Sequence, residues 1–160
     1  MKIRPKPDGL DKPYVVKIIK AMSGVNTAVY RWTGGLFGST WRVGSAFPWG
    51  VPLLLLTTIG RKSGLPRTLP LLFIEEGDSI IVAGSRGGLP TEPLWYKNLV
   101  AHPECDVQIK RRKLKVNART ASPEEREALW PKLVAHYPDL ASYATWTERV
   151  IPVVILEPIA

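Results

Sequence analysis

The sequence predicts a mixed α+β domain whose short strands close on themselves as a small barrel. Three observations carry that prediction. Beyond Pro52 the chain breaks into about six short apolar or alternating runs separated by turn residues, which is the texture of short strands. Helical stretches are inserted between these runs without alternating strictly with them, which argues against a doubly wound parallel sheet. No G-x-G-x-x-G occurs in the 160 residues, so nothing marks a Rossmann dinucleotide site.

The elements follow in chain order. Residues 1–13 carry Pro5, Pro7, Gly9 and Pro13 and are expected to be irregular. From Tyr14 to about Arg31, Val15, Ile18, Ile19, Met22, Val25 and Val29 recur at helical spacing with Lys17 and Lys20 off the stripe, giving a basic amphipathic helix. Trp32 to Trp49 mixes glycine with Leu36, Phe37, Trp41 and Phe47, and Arg31 and Arg42 each stand beside a tryptophan. Strands are then expected at Leu53–Ile59, Thr68–Glu75 and Ser79–Gly84, with turns at Gly60–Pro66 and Glu76–Asp78. A helix from about Pro93 to Ala101 precedes strands at Asp106–Lys110 and Lys113–Ala121, joined by a tight basic turn at Arg111-Arg112. Ser122 caps a helix running to about His136, with Pro123 at its first position and Glu124 and Glu125 in its first turn. A short helix over Ala141–Thr147 and a last strand over Pro152–Glu157 complete the chain.

Charge divides the molecule into a basic arm, residues 1–49, and a barrel domain, residues 50–160. The net charge is +8, yet the first fifty residues hold eight Lys/Arg against two Asp, and the remainder holds fourteen against twelve acids. A body this balanced lacks the continuous basic face of a nucleic-acid-binding domain. Cys105 is the only cysteine, so no internal disulfide can form, and with two histidines no metal-ligand cluster can be read. The apolar stretch Val51–Ile59 is too short to span a bilayer, and Lys17 and Lys20 interrupt what would be a signal-peptide core. The expected location is therefore the cytoplasm, with the arm's basic residues and tryptophans suited to peripheral contact with the inner membrane surface.

The densest chemical signal is Thr57-Thr58-Ile59-Gly60-Arg61-Lys62-Ser63-Gly64-Leu65-Pro66-Arg67. Three crowded cations repel one another, while glycine lets backbone N–H groups turn toward a ligand. Lys grips an anion as a point charge and Arg through bidentate pairs, so an extended polyanion suits the loop; a solvated basic hairpin turn is the alternative. A nucleotide P-loop is excluded by spacing, because Arg61 precedes Lys62-Ser63 and Pro66 stands where a helix should begin.

Five motifs in order, TTIGRKSGLPR, GSRGG, PLWYKNLVAHP, ASPEEREALWPKLVAHYP and YATWTERVIPVVILEP, resemble the deazaflavin-dependent nitroreductases of actinobacteria across roughly residues 50–160. The resemblance implies a split β-barrel of the flavin-reductase and pyridoxamine-oxidase kind that binds coenzyme F420, whose tail carries a phosphate and several carboxylates. It implies that Arg61, Lys62, Ser63, Gly64 and Arg67 hold that tail and that Pro70 lines the approach to the ring. Ser85, Arg86, Gly87 and Gly88 would meet the phosphate and the ring's polar edge, and Leu94, Trp95 and Asn98 would wall tail and ring. Taken singly, Trp95, Asn98 and the Ser85–Gly88 turn each have an ordinary structural explanation.

The implied activity is hydride transfer from reduced F420 to an electron-poor, lipophilic acceptor such as a quinone, an enone or a nitroaromatic. Ser85 is the candidate donor to the acceptor's oxygen, and Tyr137 and Tyr143 match tyrosines bordering the substrate pocket. Leu140 occupies a third pocket position where nitroreductases carry a tyrosine. Leucine cannot hydrogen-bond a nitro or quinone oxygen, so a more apolar pocket favouring flat lipophilic acceptors is expected. An FMN-binding reductase of the same fold and a non-catalytic deazaflavin carrier are the competing readings, and the sequence leaves the oligomeric state open.

Overall fold

The structure, a computed structural model, describes residues 2–159. It contains eight strands and four α-helices among those residues. In chain order these are α1 (Pro13–Thr33), β1 (Thr40–Trp41), β2 (Val51–Ile59), β3 (Pro66–Leu72), β4 (Ile74–Glu76), β5 (Ser79–Ala83), α2 (Leu94–Ala101), β6 (Glu104–Ile109), β7 (Arg112–Thr120), α3 (Pro123–His136), α4 (Asp139–Thr145) and β8 (Val153–Pro158).

All strand pairs are antiparallel, in the order β1-β2-β6-β7-β8-β5-β4, with β3 also paired to β2. The strand expected over Thr68–Glu75 is broken at Phe73. That break lets the chain leave β2's side as β3 and join β5 on the far side as β4. One buried residue, Phe73, thus carries the chain from one end of the curled sheet to the other, which makes it a split barrel. Side-chain alternation sorts the strands' two faces. Leu54, Leu56, Ile80, Val82, Val107, Val116, Val154 and Leu156 fill the barrel. Ile81, Val153 and Ile155 point outward under α3 and α4 to Leu129, Leu133, Tyr137 and Leu140. β8 is buried on both faces, which explains its continuous apolar run.

The N-terminal arm is part of this architecture. Pro13 opens α1, and Gly34 in the left-handed conformation (φ 60°) closes it, with the N–H groups of Gly34 and Gly35 returning to the carbonyls of Arg31 and Tyr30. The helix meets the barrel through Thr27 and a fully buried Tyr30. The Tyr30 hydroxyl donates to the Leu53 carbonyl at 2.9 Å and accepts from the Lys110 amide at 2.7 Å. Its ring packs on Leu53 and Leu55, and β1 adds two residues to β2. Replacing Tyr30 with Phe leaves a buried amide and carbonyl short of a partner, a loss of about 1–3 kcal/mol that urea unfolding would measure.

The apolar stripe read in α1 faces the other way. Ile18, Ile19, Met22 and Val25 are all more than half exposed, as are Trp32, Leu36, Phe37, Phe47 and Trp49. Lys17 and Lys20 are exposed beside them, so the helix shows solvent both its apolar stripe and its lysines. No helix among the described residues is long and apolar enough to cross a membrane.

Candidate functional site

The basic loop is a tight hairpin between β2 and β3. The Gly60 N–H donates to the Leu65 carbonyl and the Gly64 N–H to the Gly60 carbonyl, both at 2.8 Å. A Cβ on Gly60 would lie 2.5 Å from Ser63 Oγ, and Gly64 sits at φ +69°, so both glycines are required by the turn itself. Ser63 Oγ accepts from the Leu65 amide at 3.2 Å, which places the serine in the turn's own framework. The side chains of Arg61, Lys62 and Arg67 are exposed, and none makes a salt bridge among the described residues. Pro70 lies on β3 opposite Leu55, half-buried. The uncompensated cations fit a tail bearing phosphate and carboxylates.

Helix α2 links this loop to the second one. Asn98 is buried and spends its carboxamide internally: Oδ1 accepts from the Arg61 amide at 3.1 Å, and Nδ2 donates to Thr58 Oγ1 at 3.2 Å. It therefore anchors the basic loop from beneath. Trp95, also expected to wall the cofactor, is 6% exposed and packs in the barrel core with its ring edge-on to Tyr96. The core-facing side of α2 claims it. Leu94 is 61% exposed at the start of α2 and remains free to touch a ligand.

The second loop follows β5. Ser85 is right-handed helical (φ −72°, ψ −35°), and the next three residues have positive φ: Arg86 +46°, Gly87 +61° and Gly88 +77°. A right-handed residue followed by left-handed ones turns successive backbone N–H groups toward one side, an anion-receiving arrangement. A Cβ on Gly87 would meet open space, whereas one on Gly88 would lie 2.9 Å from the Trp146 ring and 3.1 Å from the Tyr143 carbonyl. Gly88 is thus where this loop touches α4 and the residues beyond it.

The tyrosines meet at the junction of α4 and the arm. The Tyr137 and Tyr143 hydroxyls are 3.3 Å apart, and Trp41 Nε1 donates to the Tyr137 oxygen at 3.3 Å. Burial raises both phenol pKa values above the ordinary tyrosine range; for Tyr143 the bond to Tyr137 and the Arg4 charge oppose it and Asp139 reinforces it. Both phenols stay protonated at neutral pH and can donate. Tyr143 is half-buried against Trp146, while Tyr137 is 2% exposed. Leu140 is 4% exposed and packed in the cluster beneath α3 and α4, so it underlies the tyrosine junction. A tyrosine placed there would overpack the cluster, which removes Leu140→Tyr as a clean probe of acceptor choice.

Sequence reasoning missed the residues that tie these pieces together. Asp139, buried, accepts from the Ser45 amide at 2.9 Å while Ser45 Oγ accepts from the Asp139 amide at 3.1 Å. A Cβ on Gly44 would come within 2.0 Å of the Asp139 carboxylate, so the arm's turn is fitted onto α4. The proline-rich tail is irregular as expected, but it lies across α4. The Arg4 amide donates to Ser142 Oγ at 3.0 Å, and Trp146 Nε1 donates to the Arg4 carbonyl at 2.8 Å. Arg149 reaches back from the segment before β8 to the Ser85 loop. The signal available was a charged residue directly before the apolar run Val150–Leu156. Among the described residues no three or more His, Cys, Asp and Glu side chains gather at one place.

Comparison with known proteins gives a consistent picture. The family model for F420H(2)-dependent quinone reductase matches residues 23–158. A Mycobacterium tuberculosis H37Rv protein provisionally named F420H(2)-dependent quinone reductase Rv3178 is 44% identical over 117 residues, covering 73% of this chain and 98% of its own. The F420H(2)-dependent quinone reductase Rv1261c of the same strain is 33% identical over 135 residues, covering 82% and 87%. Among solved structures, an F420-H2 dependent reductase (FDR-A) superposes with TM-score 0.62 at 43% identity over 66% of this chain and 94% of that one. A chain described as a domain-swapped dimer gives TM-score 0.63 at 34% identity over 90% and 97%.

Proposed function

Because the chain belongs to the F420H(2)-dependent quinone reductase family, we propose that its two glycine loops hold reduced F420 and that the face between the Ser85–Gly88 loop and α4 receives the quinone. The observation that carries this reading is the Gly60–Arg67 hairpin, whose three cations stand exposed without a carboxylate partner among the described residues. Such a loop neutralises an extended polyanion and has no equivalent structural use. When bound, a reduced deazaflavin supplies a hydride from the carbon that stands where flavin has N5.

The chain's own residues then have distinct roles. Arg61, Lys62 and Arg67 bind the tail's charges, and Asn98 fixes the Arg61 backbone from beneath. The Arg86 and Gly87 amides offer backbone donors, the Gly88 amide being held by the Ser85 carbonyl, with Ser85 beside them as donor to the acceptor's oxygen. Tyr143, a neutral phenol at working pH, belongs to the helix whose backbone meets that loop at Gly88, and Tyr137 holds its hydroxyl. The rings of Trp146 and Tyr137 flank Tyr143 and Leu140 lies in the same cluster, with the Arg4 and Asp139 charges nearby, which suits a flat acceptor bearing a polar oxygen.

An anaerobic acceptor screen with reduced F420 tests the reading. Menadione is expected to be turned over ahead of an enone or a nitroaromatic, seen as the return of oxidised-deazaflavin fluorescence. Binding of F420 without turnover of any acceptor would make the chain a carrier.

The arm supports a further part of this reading, contact with a membrane surface where lipophilic quinones reside. Exposed Met22, Val25, Trp32 and Trp49 beside Lys17, Lys20, Arg31 and Arg42 suit an anionic interface. Truncating the arm would uncover Leu53 and Leu55, so outward-facing residues are the ones to change. Met22→Ser/Val25→Ser/Trp32→Ser should lower co-sedimentation with anionic liposomes and leave menadione turnover intact. Equal sedimentation of the two proteins would remove the membrane from the account, and a shift in gel-filtration volume would assign the face to a second copy.

A further inference from the structure

Arg149 lies in the irregular segment between α4 and β8, and its guanidinium turns inward onto the Gly84–Leu89 backbone. Nε donates to the Leu89 carbonyl at 3.1 Å, and Nη2 donates to the Gly84 carbonyl at 3.1 Å and the Ser85 carbonyl at 2.9 Å. These bonds occupy three of the five guanidinium N–H donors. Nη1 is buried and has no hydrogen-bond partner among the described residues. No carboxylate forms a salt bridge with Arg149 among those residues either. Burial lowers its pKa from the ordinary arginine value, with Glu92 opposing and Arg86 adding to the shift.

A half-buried cation spent on three carbonyls of one loop, with Nη1 left buried and unpartnered, is costly, and the loop explains it. Arg86, a non-glycine residue, is held at φ +46° and is followed by two further positive-φ residues. Such a run persists only where surrounding contacts over-determine it. Fixing the carbonyls at residues 84, 85 and 89 toward the guanidinium clamps both ends of the run and sets the peptide planes between them. Lysine has no planar fork and cannot bond both Leu89 and the Gly84–Ser85 pair in this way.

We infer that Arg149 is the positioning residue of the cofactor loop: its guanidinium fork holds the Gly84–Leu89 backbone in the conformation that presents Ser85 and the Arg86 and Gly87 amides to the deazaflavin, the Gly88 amide being spent on the Ser85 carbonyl. The inference rests on the reading that this loop meets F420, and it acts through the loop without requiring contact between Arg149 and the ligand.

The test compares wild type with R149K and R149Q in amide hydrogen exchange of the cofactor-free protein and in F420 titration. In both variants the Gly84–Leu89 amides should exchange at least about tenfold faster while β2 and α3 keep their protection, the pattern of local opening. F420 affinity should fall about tenfold or more in R149K and further in R149Q. R112K, which alters an exposed pair with Glu75, should change none of these. Wild-type exchange in the loop, or wild-type affinity in R149K, would overturn the inference. If wild-type protein bound no F420, the functional reading would fail, and the exchange data alone would still decide whether Arg149 holds the loop. A variant that melts globally is replaced by the other, and loss of protection throughout both would overturn a local role.

Discussion

Replacing Arg61, Lys62 and Arg67 together by alanine is expected to weaken F420 binding by roughly a thousandfold, at about tenfold for each charge removed. Stability should be unaffected, because the three side chains are exposed and form no salt bridge among the described residues. Removing their mutual repulsion can only favour the fold. The turn that carries them is built from Gly60, Ser63, Gly64 and Leu65 bonds that the substitutions do not touch. A deazaflavin stripped of its phosphate and glutamates should bind wild type and triple variant alike. Wild-type affinity should fall with added salt, since charges at an exposed loop are screened, and the variant's should not. Fluorescence titration of both ligands against both proteins measures each of these. If the triple variant loses no more than a few-fold, the hairpin is only a solvated basic turn.

The second large effect separates two adjacent glycines. Gly88→Ala should lower both F420 affinity and menadione turnover by more than tenfold and cost about 2–4 kcal/mol of stability, combining positive-φ strain with a steric collision. The added Cβ would lie 2.9 Å from the Trp146 ring and 3.1 Å from the Tyr143 carbonyl, so loop and α4 must move apart. Gly87→Ala introduces similar strain at φ +61° but meets nothing within 4 Å, and should cost only about 1 kcal/mol. The difference between the two isolates contact between the cofactor loop and the tyrosine-bearing helix. Equal effects on turnover would mean that the two do not form one site.

How much of this was legible in the sequence depends on which force dominates at each place. Strands with strict alternation or continuous apolar runs, such as β5 and β8, were readable because burial on one face or two leaves a direct mark. The capping box of α3 was readable because its signal is local, and Ser122 and Glu125 do bond reciprocally. The break at Phe73 was not, since a strand crossing from one sheet edge to the other keeps its apolar pattern. In α1, periodicity identified the helix but not which way it faces. The barrel takes the Thr27–Tyr30 side, where one buried phenol supplies two hydrogen bonds, and leaves the apolar stripe outside.

The candidate site divides in the same way. Glycine-rich loops and clustered cations are composition signals, so both loops stand out in the sequence. Trp95, Asn98 and Leu140 stand out only through the resemblance, and the structure adds a packing role to each. Trp95 fills the core, Asn98 anchors the basic loop and Leu140 supports the tyrosines from beneath. Arg149 and Asp139 act on segments 60 and 94 residues away in sequence, a distance at which no spacing rule operates.

The most direct test of the proposed cofactor is a paired titration of the full chain with F420 and with FMN. Both ligands present a flat tricyclic ring and a phosphate, and they differ in the long acidic tail that the Gly60–Arg67 hairpin is proposed to hold. Saturable quenching of deazaflavin fluorescence is expected in the micromolar range, with FMN binding weaker by at least about a hundredfold, two steps of 1.4 kcal/mol. FMN retained on purification, or bound as tightly as F420, would contradict it.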